Sequence, residues 1–251
     1  MTGPSLRRRI AERYPGLRRL VSKIVLYVRI PYALVMDTKT WLRLPAARRR
    51  GLVFHPPNFL YKDDIGDSSA VVDVGCGYEA DFSVHMINTY GADAIGIDPT
   101  EKHARPLREL EKKSNGKFKH KKWLISKESG KVTFYESIEN ESGSIDQEHI
   151  NIRKGTSHAY EVESVNLNDL PSHLNLKEIS ILKLDIEGAE FDLFRELDSI
   201  NLEPFRQLYI EFHHRSVKRY SKKDTLRVVR SIRDKGFKVF SLDDINFLCY
   251  H

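Results

Sequence analysis

Cysteine is scarce: Cys76 and Cys249 are the only two in 251 residues. Two cysteines build no disulfide framework, and with no CxxC pair they offer no zinc-ribbon site. The usage fits a reducing compartment. Long apolar runs are lacking as well. The most apolar stretch, 20-LVSKIVLYVRIPYALVM-36, is interrupted by Lys23, Arg29 and Pro31, which makes it a poor membrane span. The basic N-terminus has no uninterrupted apolar segment followed by a small-residue cleavage site, as a secretory signal would, so a cytoplasmic protein is expected. Internal repeats and low-complexity tracts are absent too.

Residues 1–50 are poor in acids. Thirteen Lys/Arg face only Glu12 and Asp37, a net +11, whereas residues 51–251 carry 28 Lys/Arg against 33 Asp/Glu, a net −5. The basicity therefore belongs to an N-terminal extension on a mildly acidic body. Leu6, Ile10, Tyr14, Leu17, Val21, Ile24, Val25 and Val28 recur at helical spacing. The expectation is a basic amphipathic helical extension over 1–50 and a Pro/Gly-rich linker over 51–69. Such an arm suits an anionic surface, and peripheral contact with an anionic membrane is one use of it. Packing its apolar stripe on a neighbouring domain is the other.

From residue 70 short apolar runs alternate with helical segments. 70-AVVDVG-75 reads as a buried strand, 79–91 as a helix, 93-DAIGID-98 as a strand, 100–113 as a charged helix and 117–126 as a third strand. This rhythm predicts an α/β fold with a parallel sheet and crossover helices. Residues 127–170 break it with two extra strands, 131–137 and 160–167. It resumes at 179-ISILKLD-185, a helix over about 189–197, 207-QLYIEF-212 and a helix over 222–235. Two β-rich runs joined at Leu242-Asp243-Asp244 close the chain. A final pair joined so tightly implies one antiparallel strand.

The chemistry gathers at predicted strand ends. In 73-DVGCGYE-79, Gly75 and Gly77 permit a sharp turn and close approach of a ligand, and the next helix offers free N–H groups there. Asp98 follows about 20 residues later, where a carboxylate can accept ribose hydroxyls. The third position of G-x-G-x-x-G is Ala80, a tolerated substitute that does not by itself exclude NAD. Glu79 sits where a diphosphate would lie and repels it. An acidic rim favours a cationic cofactor, and S-adenosyl-L-methionine is the expectation. In open α/β sheets ligands sit beyond the carboxyl ends of the strands, so Asp73, Asp98, Asp185, Glu211 and His213 are expected around one crevice. His213 is the first candidate for general base, because imidazole titrates nearest neutrality; Asp185 and Glu187 are candidates to orient it or to act as base themselves. Glu190 is read mainly as a helix N-terminal charge. Asp185, Glu187, Glu211 and His213 are also candidate ligands for a divalent ion, although spacing alone does not establish one.

D73-V-G-C-G, 97-IDP-99, 126-SKESGKVTFYES-137, 165-VNLNDL-170 and above all 182-LKLDIEGAE-190 resemble the FkbM family of S-adenosylmethionine-dependent methyltransferases. The resemblance spans about residues 70–250. It implies a Rossmann-like class I methyltransferase domain over 70–251, with a mostly parallel seven-stranded sheet and an antiparallel C-terminal strand. It further implies cofactor contacts at Asp73, Gly75, Cys76, Gly77, Asp98, Pro99, Ser126 and Asp185. The implied reaction is O-methylation of a sugar, glycan or lipid-linked acceptor. Cys76-Gly77-Tyr78-Glu79 departs from the family's usual Ala-Asn-x-Gly turn, and Asp98 replaces a common Glu, which keeps the carboxylate. The altered turn leaves open a binding protein that has lost its chemistry, and the basic arm leaves open an RNA methyltransferase. Against nucleic acid stand the acidic body and the lack of an RNA-binding module or aromatic platform.

Overall fold

The computed structural model describes residues 38–251 apart from residue 57. The amphipathic stripe from Leu6 to Val28 thus lies outside the described residues. Contacts divide the chain into two units, Met1–Arg43 and Leu44–His251. Helix α1 (Thr38–Arg49) runs across the boundary, and every later element belongs to the second unit.

The stretch expected to be a linker instead carries an antiparallel hairpin, β1 (Leu52–His55) and β2 (Phe59–Lys62). Its run Phe59-Leu60-Tyr61 is too apolar to stay in solvent, and Leu60 and Tyr61 are almost wholly buried. The body then follows the expected rhythm: β3 (Ala70–Val74), α2 (Asp81–Tyr90), β4 (Asp93–Ile97), α3 (Ala104–Lys113) and β5 (Phe118–Lys121). Gly91, at φ 68°, closes α2 in the left-handed conformation that favours glycine.

The single third strand expected over 117–126 is in fact two. After β5 the chain leaves the main sheet at Lys122, and β6 (Trp123–Ser126) enters a second sheet. That sheet has the order β6-β9-β7-β8, with β7 (Gly130–Ser137), β8 (Gly143–Ser144) and β9 (Ser157–Asn166), and includes both extra strands. A short helix, α4 (Ile150–Arg153), lies between β8 and β9, and α5 (Leu170–His173) follows β9.

β10 (Ile181–Leu184), α6 (Glu190–Leu193), β11 (Gln207–Glu211), α7 (Lys222–Asp234), β12 (Lys238–Ser241) and β13 (Asn246–Tyr250) complete the chain. The helix expected over 189–197 is a single α-helical turn, followed by a 3-10 turn at Leu197–Ser199. A Ser221–Asp224 capping box starts α7.

The main sheet has the expected seven strands, in the order β12-β13-β11-β10-β3-β4-β5, and β13 runs antiparallel to both neighbours. Alternation along the strands builds a core on each face. Val72, Val74, Leu182, Leu184, Leu208 and Ile210 pack on one side, with Val228, Val229 and Ile232 of α7. Val71, Ile181 and Tyr209 pack on the other, with Phe82 and Met86 of α2.

Candidate active site

Strand register decides what meets at the end of the sheet. Val74 lies opposite both Ile97 and Leu184, and Leu184 lies opposite Ile210. The next residue of each strand is therefore in one row: Gly75, Asp98, Asp185 and Glu211. Two residues inside that row, Lys183 stands beside Asp73. A cavity of about 350 Å³ opens over the row; its wall includes Asn58 and Phe59 of the hairpin, Glu141 and Ser142 from the loop leading into β8, and Gly143 at the start of β8.

Gly75 is fixed by sterics as well as by backbone. It sits at φ +72°, and a Cβ there would fall 1.7 Å from the carbonyl oxygen of Asp185. The two strand ends touch, and no side chain fits between them. Gly77, at φ +66° with open space around it, donates its N–H to Asp98 Oδ2 at 2.9 Å. Asp98 Oδ1 accepts Thr100 N–H at 2.9 Å. Burial disfavours the Asp98 carboxylate, but His103 and Thr100 more than compensate, and its pKa falls below the ordinary value. His103 is itself buried, with Nδ1 3.3 Å from Asp98 Oδ2 and Nε2 3.0 Å from Glu141 Oε2. Burial opposes its charge; the two carboxylates win and raise its pKa.

Asp73 is fully buried. Its Oδ2 accepts the hydroxyl of Ser83 at 3.0 Å, and Oδ1 lies 3.2 Å from Lys183 Nζ. Lys183 Nζ also reaches Asp185 Oδ2 at 3.4 Å. Burial works against the ammonium, yet Asp73, Asp185 and Glu211 together raise its pKa, so it stays charged. Glu211 is the opposite case. Burial, then the nearby charge of Asp185, pushes its carboxyl up to about 7.

The turn after β10 explains the three acids that crowd it. Glu190, wholly buried, accepts the N–H groups of Ile186 at 3.1 Å and Gly188 at 3.2 Å through Oε1, and accepts His213 Nδ1–H on the same oxygen at 2.8 Å. It staples the turn shut, a larger task than the helix-end charge expected of it. Gly188 sits at φ +102°, where a Cβ would come within 2.5 Å of Val217. Glu187, at φ 52°, holds a left-handed conformation unusual for a residue with a side chain. Its carbonyl accepts the Ser144 hydroxyl at 2.9 Å, and its Oε2 lies 2.9 Å from His149 Nε2 and 3.5 Å from His213 Nε2. Burial opposes the Glu187 charge, but the histidines hold its pKa below the usual carboxylate value.

His213 does not fit the role of general base. It stands behind the cavity rather than in its wall. Its Nε2 lies 3.5 Å from Asp185 Oδ1, 3.5 Å from Glu187 Oε2 and 4.0 Å from Glu211 Oε1. Burial lowers its pKa, yet Glu190, Asp185 and Glu187 raise it well above the ordinary histidine value. A ring that already carries two protons has no lone pair for a third. Ser126 does not join the site either: the chain's departure into the second sheet carries it away from the cavity wall, and its hydroxyl bonds Glu128 O at 2.8 Å and Ser164 Oγ at 2.7 Å. Asp73, Gly75, Cys76, Gly77, Asp98, Pro99, Asp185, Glu187 and Glu211 all line the cavity. The Cys76 thiol is buried, and burial, then Asp98 and Asp73, raise its pKa, so it packs as a neutral group.

Of the four candidate metal ligands, Asp185, Glu211 and His213 can each bring one atom within 4.8 Å of the others. Their negative charge is already met by Lys183 and by the protonated His213. Sequence reading missed Lys183 and Glu141–Gly143, which line the cavity, and His149, which touches Glu187 from outside it. For Lys183 a signal existed, a lysine in the middle of an otherwise apolar strand; for the others, in an irregular insertion, there was none.

Comparison with known proteins matches residues 64–239 to the methyltransferase FkbM domain. A protein of the fungus Beauveria bassiana, "Methyltransferase 1", is 32% identical over 113 residues, which cover 44% of this chain and 43% of that protein. Among solved structures, the fibrillarin pre-rRNA processing protein of Methanococcus jannaschii aligns with TM-score 0.46 and 12% identity, over 83% of this chain and 74% of its own. Aeropyrum pernix fibrillarin, in complex with natively bound S-adenosyl-L-methionine, aligns with TM-score 0.41 and 11% identity, over 82% and 73%.

Proposed function

Since the chain belongs to the FkbM family of methyltransferases, we propose that it transfers a methyl group from S-adenosyl-L-methionine to a hydroxyl of a sugar, glycan or glycoconjugate. The observation that carries this reading is the row Gly75, Asp98, Asp185 and Glu211 across the end of the sheet, under one cavity. When bound, the cofactor supplies an electrophilic methyl on a positively charged sulfur. Asp98, beside the glycine turn, accepts the ribose hydroxyls. Pro99 and Cys76 pack against the cofactor, and Asp73 and Lys183 hold the floor.

The chain's own part in the transfer is positioning and proton removal. With the cofactor bound, an acceptor oxygen would take the methyl group as sulfur kept the electron pair of the broken bond, and the hydroxyl proton would have to pass to a group of the protein. Glu211 takes that proton, because its carboxyl titrates near neutrality and lines the cavity. Asp185 and Glu187 orient the acceptor, and His213 balances their charge from behind.

Eight carboxylates line the cavity, those of Asp73, Glu79, Asp81, Asp98, Glu141, Asp185, Glu187 and Glu211, against Lys183 and His103. A phosphodiester backbone would meet net repulsion there, which favours a neutral hydroxyl acceptor over RNA.

Calorimetry with S-adenosyl-L-methionine and with NAD tests the first step: the methyl donor alone is expected to bind, and binding of NAD alone overturns the reading. Asp98→Ala should weaken donor binding at least tenfold, about 1.4 kcal/mol. Methyl transfer into neutral glycosides and extracted glycans, against transfer into total RNA, tests the acceptor class.

A further inference from the structure

The second sheet reaches the site through one residue that the proposed chemistry leaves unused. His149 lies just before α4, in the irregular segment between β8 and β9, and is wholly buried. Main-chain bonds fix it on two sides: its N–H donates to Asp146 O at 3.1 Å, and the neighbouring Ile150 N–H donates to Ser216 O at 2.9 Å. The backbone of His149 also bridges to Val217, the residue that closes over Gly188. The imidazole therefore has little freedom to move.

Its Nε2 is 2.9 Å from Glu187 Oε2, and its ring stands edge-on to that of His213, with centroids 6.1 Å apart at 70°. Neither ring nitrogen makes an aligned hydrogen bond among the described residues, so the 2.9 Å approach of Nε2 to Glu187 is a close ion-pair contact between two buried groups. The carboxylate oxygen that Nε2 approaches is the same one that faces His213 Nε2 at 3.5 Å. Five residues before His149, Ser144 holds the carbonyl of Glu187 at 2.9 Å, while Glu187 keeps its left-handed backbone. Two groups from the insertion thus hold both ends of Glu187. A side chain serving only to fill space would need no nitrogen beside that carboxylate.

We infer that His149 is a positioning residue for the reaction: it fixes the direction of the Glu187 carboxylate toward the cavity and against His213, and so couples the second sheet to the chemistry. This rests on the function proposed above for Glu187, but not on the identity of the acceptor. Without His149, Glu187 Oε2 loses its nearest partner, keeps the longer contact to His213 and is freer to turn away. Glutamine places its amide nitrogen near the position of Nε2 and can restore the contact; phenylalanine fills the space and cannot.

The test uses the full chain loaded with S-adenosylhomocysteine, with histidine rings labelled with nitrogen-15. At pH 7, His149→Phe should shift the ring nitrogen signals of His213, and His149→Gln should restore them toward the parent position. Affinity for S-adenosylhomocysteine should change less than twofold in both, because His149 lies outside the cavity wall. With a pool of neutral methyl glycosides as acceptors, kcat should fall at least tenfold in His149→Phe, with KM for the methyl donor unchanged and with partial recovery in His149→Gln. Unaltered His213 signals in His149→Phe would overturn the inference, as would equal losses in the two variants. If His149→Phe does not fold, His149→Asn, which moves the donor off the Nε2 position, replaces it and should behave as the phenylalanine variant would. A parent protein that binds S-adenosylhomocysteine but methylates none of the glycosides would count against the proposed acceptor, while the ring signals still decide the role of His149.

Discussion

Two ionisable side chains 4.0 Å apart are driven here one to its charged form and the other toward its neutral form, and the neighbours explain why. His213 meets three carboxylates at close range and keeps its proton. Glu211 is half-buried beside Asp185 and is slow to give its proton up, so that it titrates at about 7. If Glu211 removes the acceptor proton, the rate should rise with pH through about 7 and then level. Glu211→Gln should lower kcat on the order of 100-fold and abolish that limb; a limb unchanged in the variant would move the role to Asp185. Stability gives an independent measure. A carboxyl whose folded pKa lies above its unfolded one contributes most below about pH 4.5, and the contribution is lost as pH rises through about 7. At pH 5 the parent and Glu211→Gln should therefore melt close together, while at pH 8 the variant should be the more stable by on the order of 2 kcal/mol, several degrees in Tm. A variant that melts lower at pH 8 would mean that the charge on Glu211 is wanted rather than tolerated.

At the level of elements, the glycine turn after β3 was legible from sequence, and so were the strand ends that surround it, because period-2 alternation and abrupt acidic endings survive translation into three dimensions. What the two glycines do differently was not legible. Gly75 and Gly77 have nearly the same φ, but only at Gly75 does another strand end occupy the place of the missing side chain. Gly75→Ala should therefore separate β3 from β10 at their carboxyl ends and cost several kcal/mol, read as a large drop in Tm or loss of folded protein. Gly77→Ala should cost only the strain of its backbone, about 1–2 kcal/mol, and any loss of donor binding would come from the Gly77 N–H to Asp98. Equal melting of the two variants would mean that the contact with Asp185 relaxes freely. Other features escaped sequence reading because they depend on partners far along the chain. Lys183 looks like a solvent-facing residue until register sets it beside Asp73. The hairpin at 52–62 looks like a linker because its paired prolines and the flanking Gly51 and Gly66 mask an apolar strand. His149 and Glu141 sit in a segment with no periodicity at all, so nothing local announces that they reach the site.

Across the whole molecule, charge is divided by position in the chain. The cavity is lined by acids, residues 51–251 carry a net −5, and residues 1–43 hold ten Lys/Arg against two acids. An acidic body repels anionic lipid, so any affinity for such a surface has to come from the first residues. Each Lys or Arg near an anionic leaflet contributes on the order of 1 kcal/mol, screened as salt rises. Every residue assigned to the donor site lies within Leu44–His251, the unit that also holds the seven-stranded sheet. A chain of residues 44–251 should therefore bind S-adenosyl-L-methionine within about twofold of the full chain, whereas only the full chain should sediment with phosphatidylserine vesicles and release as salt is raised. Neutral phosphatidylcholine vesicles should capture neither, since the attraction is electrostatic. Equal capture of both chains by anionic vesicles would place the contact on the body, against its net charge. Capture of neither would return the arm to a role in packing, with its Lys and Arg side chains in solvent and its apolar stripe covered by protein rather than by lipid.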